Sequence, residues 1–204
     1  MKLTLLGTGC PSVDFKRCGS SNLVSTKLTR ILVDCGSGVT QRLNQSKNSS
    51  ADIDALLLTH LHTDHVIDLY QLLVSSWHSD RTLEWKIYGP KGTKQFVDKI
   101  FLAWKSERKL RISYEKRKSS KALNYKVYEF KKEGFININD IKIKYFEVDH
   151  KPVPYAYGFS FFSKNKKLTI SGDTRPCENI MKYGQNADVL LHEVFIDGEL
   201  KETN

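Results

Sequence analysis

The sequence predicts an α/β protein in which two β-sheets lie between layers of helices. Two patterns predict this class. From residue 2 to about residue 106, short apolar strand signals alternate with helical 3-4 spacings, and from Tyr125 onward the pattern turns almost entirely to strands. Strands interleaved with helices and then followed by further strands fit a sandwich with helices on its outer faces. A third observation sets the scale: 204 residues with 40% apolar and 11% aromatic content suffice for one domain with a sizeable core.

The elements follow in order. Lys2–Leu6, Ser21–Thr26 and Arg30–Asp34 read as strands, the first two separated by the turn-rich stretch GTGCPSVDFKRCGS. A helix from about Gly38 to Gln45 precedes a buried strand at Asp54–Thr59. Val66, Leu69, Tyr70, Leu73 and Trp77 then have the spacing of one amphipathic helix that opens at Asp64 and His65. A strand at Glu84–Tyr88, a Gly89-Pro90 turn and a helix from roughly Thr93 to Ser106 come next. Strands are expected at Tyr125–Phe130, Phe135–Ile138, Ile141–Val148, Tyr155–Phe162 and Leu168–Ser171, with Asn139-Asp140 as a hairpin turn. A short helix with Pro176 near its first turn and a strand at Asp188–His192 complete the pattern.

The net charge is +9, and it is local: residues 91–132 hold 14 Lys and Arg against 4 Asp and Glu, which leaves the rest of the chain near neutral. Phe96, Phe101, Trp104, Tyr114 and Tyr125 are interleaved with these cations, a mixture suited to a phosphate-rich partner, although a solvated helix face has the same composition. No apolar stretch approaches the ~18 residues of a membrane span, and the apolar start is too short for a signal peptide. A cytoplasmic protein with no membrane partner is expected. Cys10, Cys18, Cys35 and Cys177 show no C-x-x-C spacing and read as free thiols.

Three of the six histidines fall within six positions, in THLHTDH at residues 59–65, directly after the buried strand. Such a cluster beside a core strand needs partners that offset its desolvation, and a metal would satisfy all of it at once. In extended backbone, residues i and i+2 point the same way, so His60 and His62 leave the strand end as a pair while Leu61 faces the core. Asp64 and His65 open the next helix, and two ligand pairs a turn apart suit two adjacent metals. Imidazole and carboxylate donors favour zinc. His150 and Asp173 each follow a later strand and are further candidates, although an aspartate in that position also caps helices.

The stretches LLGTGCPS, LVDCGSGVTQRL, THLHTDH, IYGPKGT, DHKPVPYAYGF, SGDTRPC and DVLLHEVF span Leu3 to Phe195, and together they resemble the metallo-β-lactamase superfamily, in its ribonuclease Z and arylsulfatase-like branch. That resemblance implies an αββα sandwich. It implies that His60, His62 and His150 hold one zinc, that Asp64 and His65 hold a second, and that Asp173 bridges the two. Asp64 would also orient and deprotonate the nucleophile, and Glu193 would relay a proton to the leaving oxygen. Two zinc ions ~3.5–4 Å apart suit phosphodiester hydrolysis, because they lower the pKa of water and stabilise both entering and leaving oxygens. Asp34 is expected to support the site by hydrogen bonding, His192 to be structural and His78 to have no role. Gly7 and Gly9 form no dinucleotide fingerprint and are expected to let backbone pass close to the metals.

The chain also departs from that family pattern. It offers no histidine after His192, so the second zinc is expected to be one ligand short, and the C-terminal part of the sandwich is expected to be missing from a single domain over residues 1–204. The Gly/Pro-rich arm expected to grip tRNA is not visible. Lys105, Arg108, Lys109, Arg111, Lys116, Arg117 and Lys118 are the candidates for RNA contact in its place. The leading expectation is processing of tRNA precursor 3′ ends. Hydrolysis of small phosphate or sulfate esters and an inactive RNA-binding fragment are the alternatives, and a homodimer is compatible with each.

Overall fold

The computed structural model describes residues 1–194, and it has the expected two-sheet architecture. Six strands form the first sheet: β1 (Lys2–Gly7), β2 (Ser21–Ser25), β3 (Arg30–Val33), β4 (Ala55–Leu57), β5 (Trp85–Gly89) and β6 (Tyr125–Glu129), adjacent in that order. β1, β2 and β3 pair antiparallel, while β3 to β6 run parallel. The second sheet holds β7 (Glu133–Ile138), β8 (Ile141–Glu147), β9 (Tyr157–Ser163), β10 (Lys166–Ile170) and β11 (Val189–Leu191). Its spatial order is β11-β10-β9-β8-β7, and only the β10–β11 pair is parallel.

The parallel strands explain why their sequences read as continuous apolar runs. Ile31, Val33, Ala55 and Leu57 face the second sheet and pack with Ile143, Phe159 and Phe161. Leu32 and Leu56 face the other way, onto the helices, with Leu43, Leu69, Leu72 and Val97. A strand buried on both faces has no polar side to alternate with.

The helices are α1 (Val39–Gln45), α2 (Thr63–Val66), α3 (Leu69–His78), α4 (Thr93–Ala103), α5 (Lys105–Tyr114) and α6 (Glu178–Gly184). Two of these boundaries correct the sequence reading. The single helix expected from Asp64 to Trp77 is broken into α2 and α3 at Ile67-Asp68. There the Asp68 carboxylate accepts hydrogen bonds from the amide and hydroxyl of Thr40 at 2.9 and 2.7 Å, and its amide donates to the Cys35 carbonyl. The helix expected to end near Ser106 stops at Ala103, and a further helix, α5, follows. Trp104 at the junction stacks on Tyr70, with ring centroids 5.1 Å apart. α5 escaped the periodicity argument because it buries no residue at all.

The loops after β3, β4, β8 and β10 converge at one edge of the sandwich, and close glycine contacts pack them together. A Cβ on Gly7 would lie 1.9 Å from the Gly19 carbonyl oxygen, and one on Gly36 would lie 2.0 Å from that of Asp64. Gly7 and Gly9 therefore approach the Cys18-Gly19 backbone, and the direct approach to the candidate site is made by Gly19 and Gly36. Forcing a methyl group against backbone costs roughly 1–3 kcal/mol. Gly36→Ala is accordingly expected to lower Tm by about 4–8 °C, taking roughly 2 kcal/mol and about 2–4 °C per kcal/mol. Gly184→Ala is the control, because its Cβ would meet only ordinary contacts at 3.6 Å and longer. A thermal melt of the two variants that showed equal Tm values would contradict this reading of the glycine packing.

Candidate metal centre

Asp34 occupies the turn after β3, with a left-handed φ of 61°, and is 1% exposed. One carboxylate oxygen accepts from the Thr59 amide at 2.8 Å, and the other accepts from the Thr59 hydroxyl at 2.9 Å and lies 2.8 Å from His65 Nδ1. Because the Thr59 hydroxyl donates to Asp34, it accepts from His60 Nδ1 at 3.0 Å. These contacts assign the proton to Nδ1 on both rings and turn each Nε2 toward a common space.

Four imidazoles surround that space. The His60 centroid lies 4.6 Å from that of His62, 4.1 Å from that of His65 and 4.8 Å from that of His150. His150 Nε2 is 3.3 Å from His62 Nδ1. The Asp173 carboxylate reaches all but His62, with one oxygen 3.4 Å from His65 Nε2 and 4.0 Å from both His60 Nε2 and His150 Nε2. Asp64 stands 3.6 Å from His65 Nε2. The donors thus fall into two sets, His60 with His62 and His150, and His60 with His65 and Asp173, and within each set the ligand atoms lie within 4.8 Å of one another.

Electrostatics and satisfaction both point to cations. Among the described residues His60 Nε2 and Asp64 Oδ1 are buried with no hydrogen-bond partner, an arrangement that costs free energy unless an electron acceptor completes it. Burial, aided by the neighbouring His65, pushes the pKa of His60 down to about 2, so its buried nitrogen carries a free lone pair. Burial also disfavours charge on His65, but Asp34 and Asp173 outweigh it and raise its pKa to about 10. Burial alone would raise Asp173, yet His65 and then His60 and His150 hold it below the usual carboxylate range. The donor set of imidazoles and carboxylates fits a divalent metal. Cys35, beneath the site, is pushed well up by burial and by Asp34 and Asp68, and remains a thiol.

All six residues expected as ligands are therefore brought together, and Asp34 makes the hydrogen bonds expected of it. Glu193 accepts a hydrogen bond from the Thr174 amide, which places its carboxylate beside the Asp173 turn. His192 is exposed, with its ring against the Glu193 carbonyl, and so is not packed as a structural histidine. Residues 195–204, where the expected C-terminal departure falls, lie outside the described residues. Thr59 is the functional side chain that sequence reasoning missed. Its only signal is a hydroxyl at the end of a buried strand, immediately before the first histidine.

The basic candidates are placed differently. α5 runs alongside α3: Tyr70 bonds to Glu107 near one end, and Arg111 and Arg117 reach His78 at the other. Arg108 donates to the Phe101 carbonyl, Arg111 pairs with Glu107 and Glu115, Arg117 with Glu115, and Lys118 with Asp80. Among the described residues Lys105, Lys109 and Lys116 are exposed and make no ion pair. His78 lies roughly 13–14 Å along α3 from its first residue, at about 1.5 Å per residue, so the cations gathered there stand apart from the metal-ligand cluster.

A family model described as anti-Pycsar protein Apyc1 matches residues 1–203. Ribonuclease Z of Mycobacterium bovis is 33% identical over 198 residues, covering 96% of this chain and 70% of the relative. Among solved structures, the short form of human tRNase Z superposes with a TM-score of 0.76 at 24% identity, over 97% of this chain and 79% of that one. The metallo-β-lactamase fold protein YhfI of Bacillus subtilis gives 0.70 at 21% identity, over 92% and 68%. With the family model spanning nearly every residue and ribonuclease Z relatives matching almost the whole chain, this protein belongs to the Apyc1 family and is a metal-dependent hydrolase of the ribonuclease Z type on the metallo-β-lactamase fold.

Proposed function

We propose that this protein is a zinc-dependent phosphodiesterase that cleaves RNA, with tRNA precursor 3′ ends as its substrate. The observation that carries the reading is the convergence of His60, His62, His65, His150 and Asp64 around Asp173, with His60 Nε2 and Asp64 Oδ1 buried and without a hydrogen-bond partner among the described residues. His60, His62 and His150 would hold one zinc, Asp64 and His65 a second, with Asp173 between them. When bound, the metal pair supplies a Lewis acid for the phosphate oxygens and a water acidic enough to act as nucleophile near neutral pH. Asp64 offers its second oxygen to orient the attacking water and accept its proton. Asp34 and Thr59 hold the histidine tautomers. Glu193, exposed beside the Asp173 turn, would return a proton to the leaving oxygen.

A second reading is hydrolysis of a small phosphodiester on the same residues. It is favoured by the family description, which names an anti-Pycsar protein and no ribonuclease, and by the internal pairing of Arg108, Arg111, Arg117 and Lys118, which leaves fewer cations for a large RNA. Comparing turnover of a tRNA precursor with that of bis(p-nitrophenyl) phosphate and a cyclic mononucleotide separates the two.

Four outcomes are expected. Elemental analysis of the purified protein should find zinc, and Asp64→Ala should abolish turnover while far-ultraviolet circular dichroism and Tm stay near wild type; retained turnover would exclude Asp64 from the chemistry. Asp34→Asn keeps a side chain that tolerates left-handed backbone but loses an anionic acceptor. It should weaken zinc binding about 10- to 100-fold in chelator competition, the range for a hydrogen-bond partner of a metal ligand. If RNA is the substrate and Lys105, Lys109 and Lys116 carry it, log K for RNA should fall linearly with log salt at a slope of roughly −0.7 per phosphate contacted. A flat profile would remove those lysines from binding.

A further inference from the structure

Two residues outside the metal cluster are attached to its ligand-bearing segment from opposite sides. Lys91 follows the Gly89-Pro90 turn at the end of β5. A Cβ on the next residue, Gly92, would lie 3.7 Å from Leu61 Cδ1, and Leu61 stands between His60 and His62. Tyr155 lies on the loop that carries His150, two residues before Tyr157, whose amide donates to the Thr59 carbonyl at 3.0 Å. Lys91 Nζ lies over the Tyr155 ring, 5.8 Å from its centroid, so the turn after β5 and the loop that carries His150 meet at these two residues. Tyr155 is 37% exposed and its hydroxyl has no hydrogen-bond partner among the described residues, so neither burial nor a polar contact accounts for an aromatic there. From Lys91 a groove of about 540 Å³ runs along α4 past Lys99 and Leu102. Its two acids are already engaged: Asp98 by Lys94 and the Tyr125 hydroxyl, Glu129 by the amides of Gly92 and Lys94.

We propose that Tyr155 and Lys91 form a nucleotide clamp, in which Tyr155 stacks on the nucleobase next to the scissile phosphate and Lys91 pairs with the following, non-scissile phosphate. The ring supplies a flat apolar face and the ammonium a positive charge, while the carboxylates of the groove, Asp98 and Glu129, are hydrogen-bonded to other groups. An aromatic beside a cation is the combination that holds single nucleotides without reading their sequence. The clamp rests on the phosphodiesterase reading but requires neither tRNA nor the cations of α5.

The test uses the zinc-loaded protein with three diesters that share one leaving group: methyl p-nitrophenyl phosphate, thymidine 5′-p-nitrophenyl phosphate and its 3′-phosphorylated form. Tyr155→Ala should raise KM for both thymidine substrates about tenfold, at the lower end of the stacking range, with kcat within about twofold and the methyl ester unaffected. Tyr155→Phe should match wild type. Lys91→Ala should erase the advantage of the 3′-phosphorylated substrate over the unphosphorylated one. Equal changes on all three esters, or none, would overturn the clamp. If wild type hydrolyses none of them, the phosphodiesterase reading fails on its own. Calorimetric titration with thymidine 3′,5′-bisphosphate then decides the clamp: weaker binding by Tyr155→Ala supports it, and unchanged or absent binding overturns it.

Discussion

The buried Asp34 carboxylate ties together the three segments on which the site depends. Its oxygens hold the Thr59 amide and hydroxyl at the end of β4 and the imidazole of His65 on α2, from a turn with left-handed backbone at the end of β3. Neither Thr59 nor His65 can shift without leaving a charged or polar group buried and unpaired, which is far costlier than losing a surface contact. Thr59 carries the constraint onward, through its hydroxyl to His60 and through its carbonyl to Tyr157 of the second sheet. The donor geometry is therefore set by the framework before any metal arrives.

That framework brings together groups that repel one another or lack partners. Asp34, Asp64 and His65 are buried within a few ångströms of one another, and Asp173 reaches three histidines. Asp34 and Asp173 favour the charged form of His65, while burial disfavours the charged form of His60. A divalent metal would satisfy the same carboxylates and the unshared imidazole lone pairs together, so affinity would arise from relieving a prearranged electrostatic imbalance. The glycines at 19 and 36 serve this arrangement by allowing the neighbouring loops to close against the Asp64 carbonyl.

The surface charge behaves in a different way. The sequence places a large cationic surplus in residues 91–132, but folding uses much of it internally, for example in the fan of Arg111 and Arg117 around Glu115 and His78. Exposed ion pairs of this kind contribute little to stability, yet they remove cations from the pool available to a polyanion. Of the cations that make no ion pair among the described residues, Lys105 and Lys109 lie on α5, while Lys91 follows β5 and precedes Gly92, which packs beside Leu61 of the ligand-bearing segment.

Sequence alone determined the two-sheet class and the chain positions of nearly all strands, because alternating and continuous apolar runs are local signals, and it singled out His60, His62, Asp64 and His65 as a dense donor cluster, with His150 and Asp173 added as strand-end residues through the family resemblance. It also singled out Asp34 as a supporting residue. Only the tertiary structure decided that Thr59 links Asp34 to His60, that the helix after His65 breaks at Asp68, that α5 forms without burying a face, and that four of the seven basic candidates are engaged within the protein. Most of these depend on a partner distant in sequence, Asp34 for Thr59, Thr40 for Asp68, His78 for Arg117 and Asp80 for Lys118, and a pattern read along the chain cannot see across it.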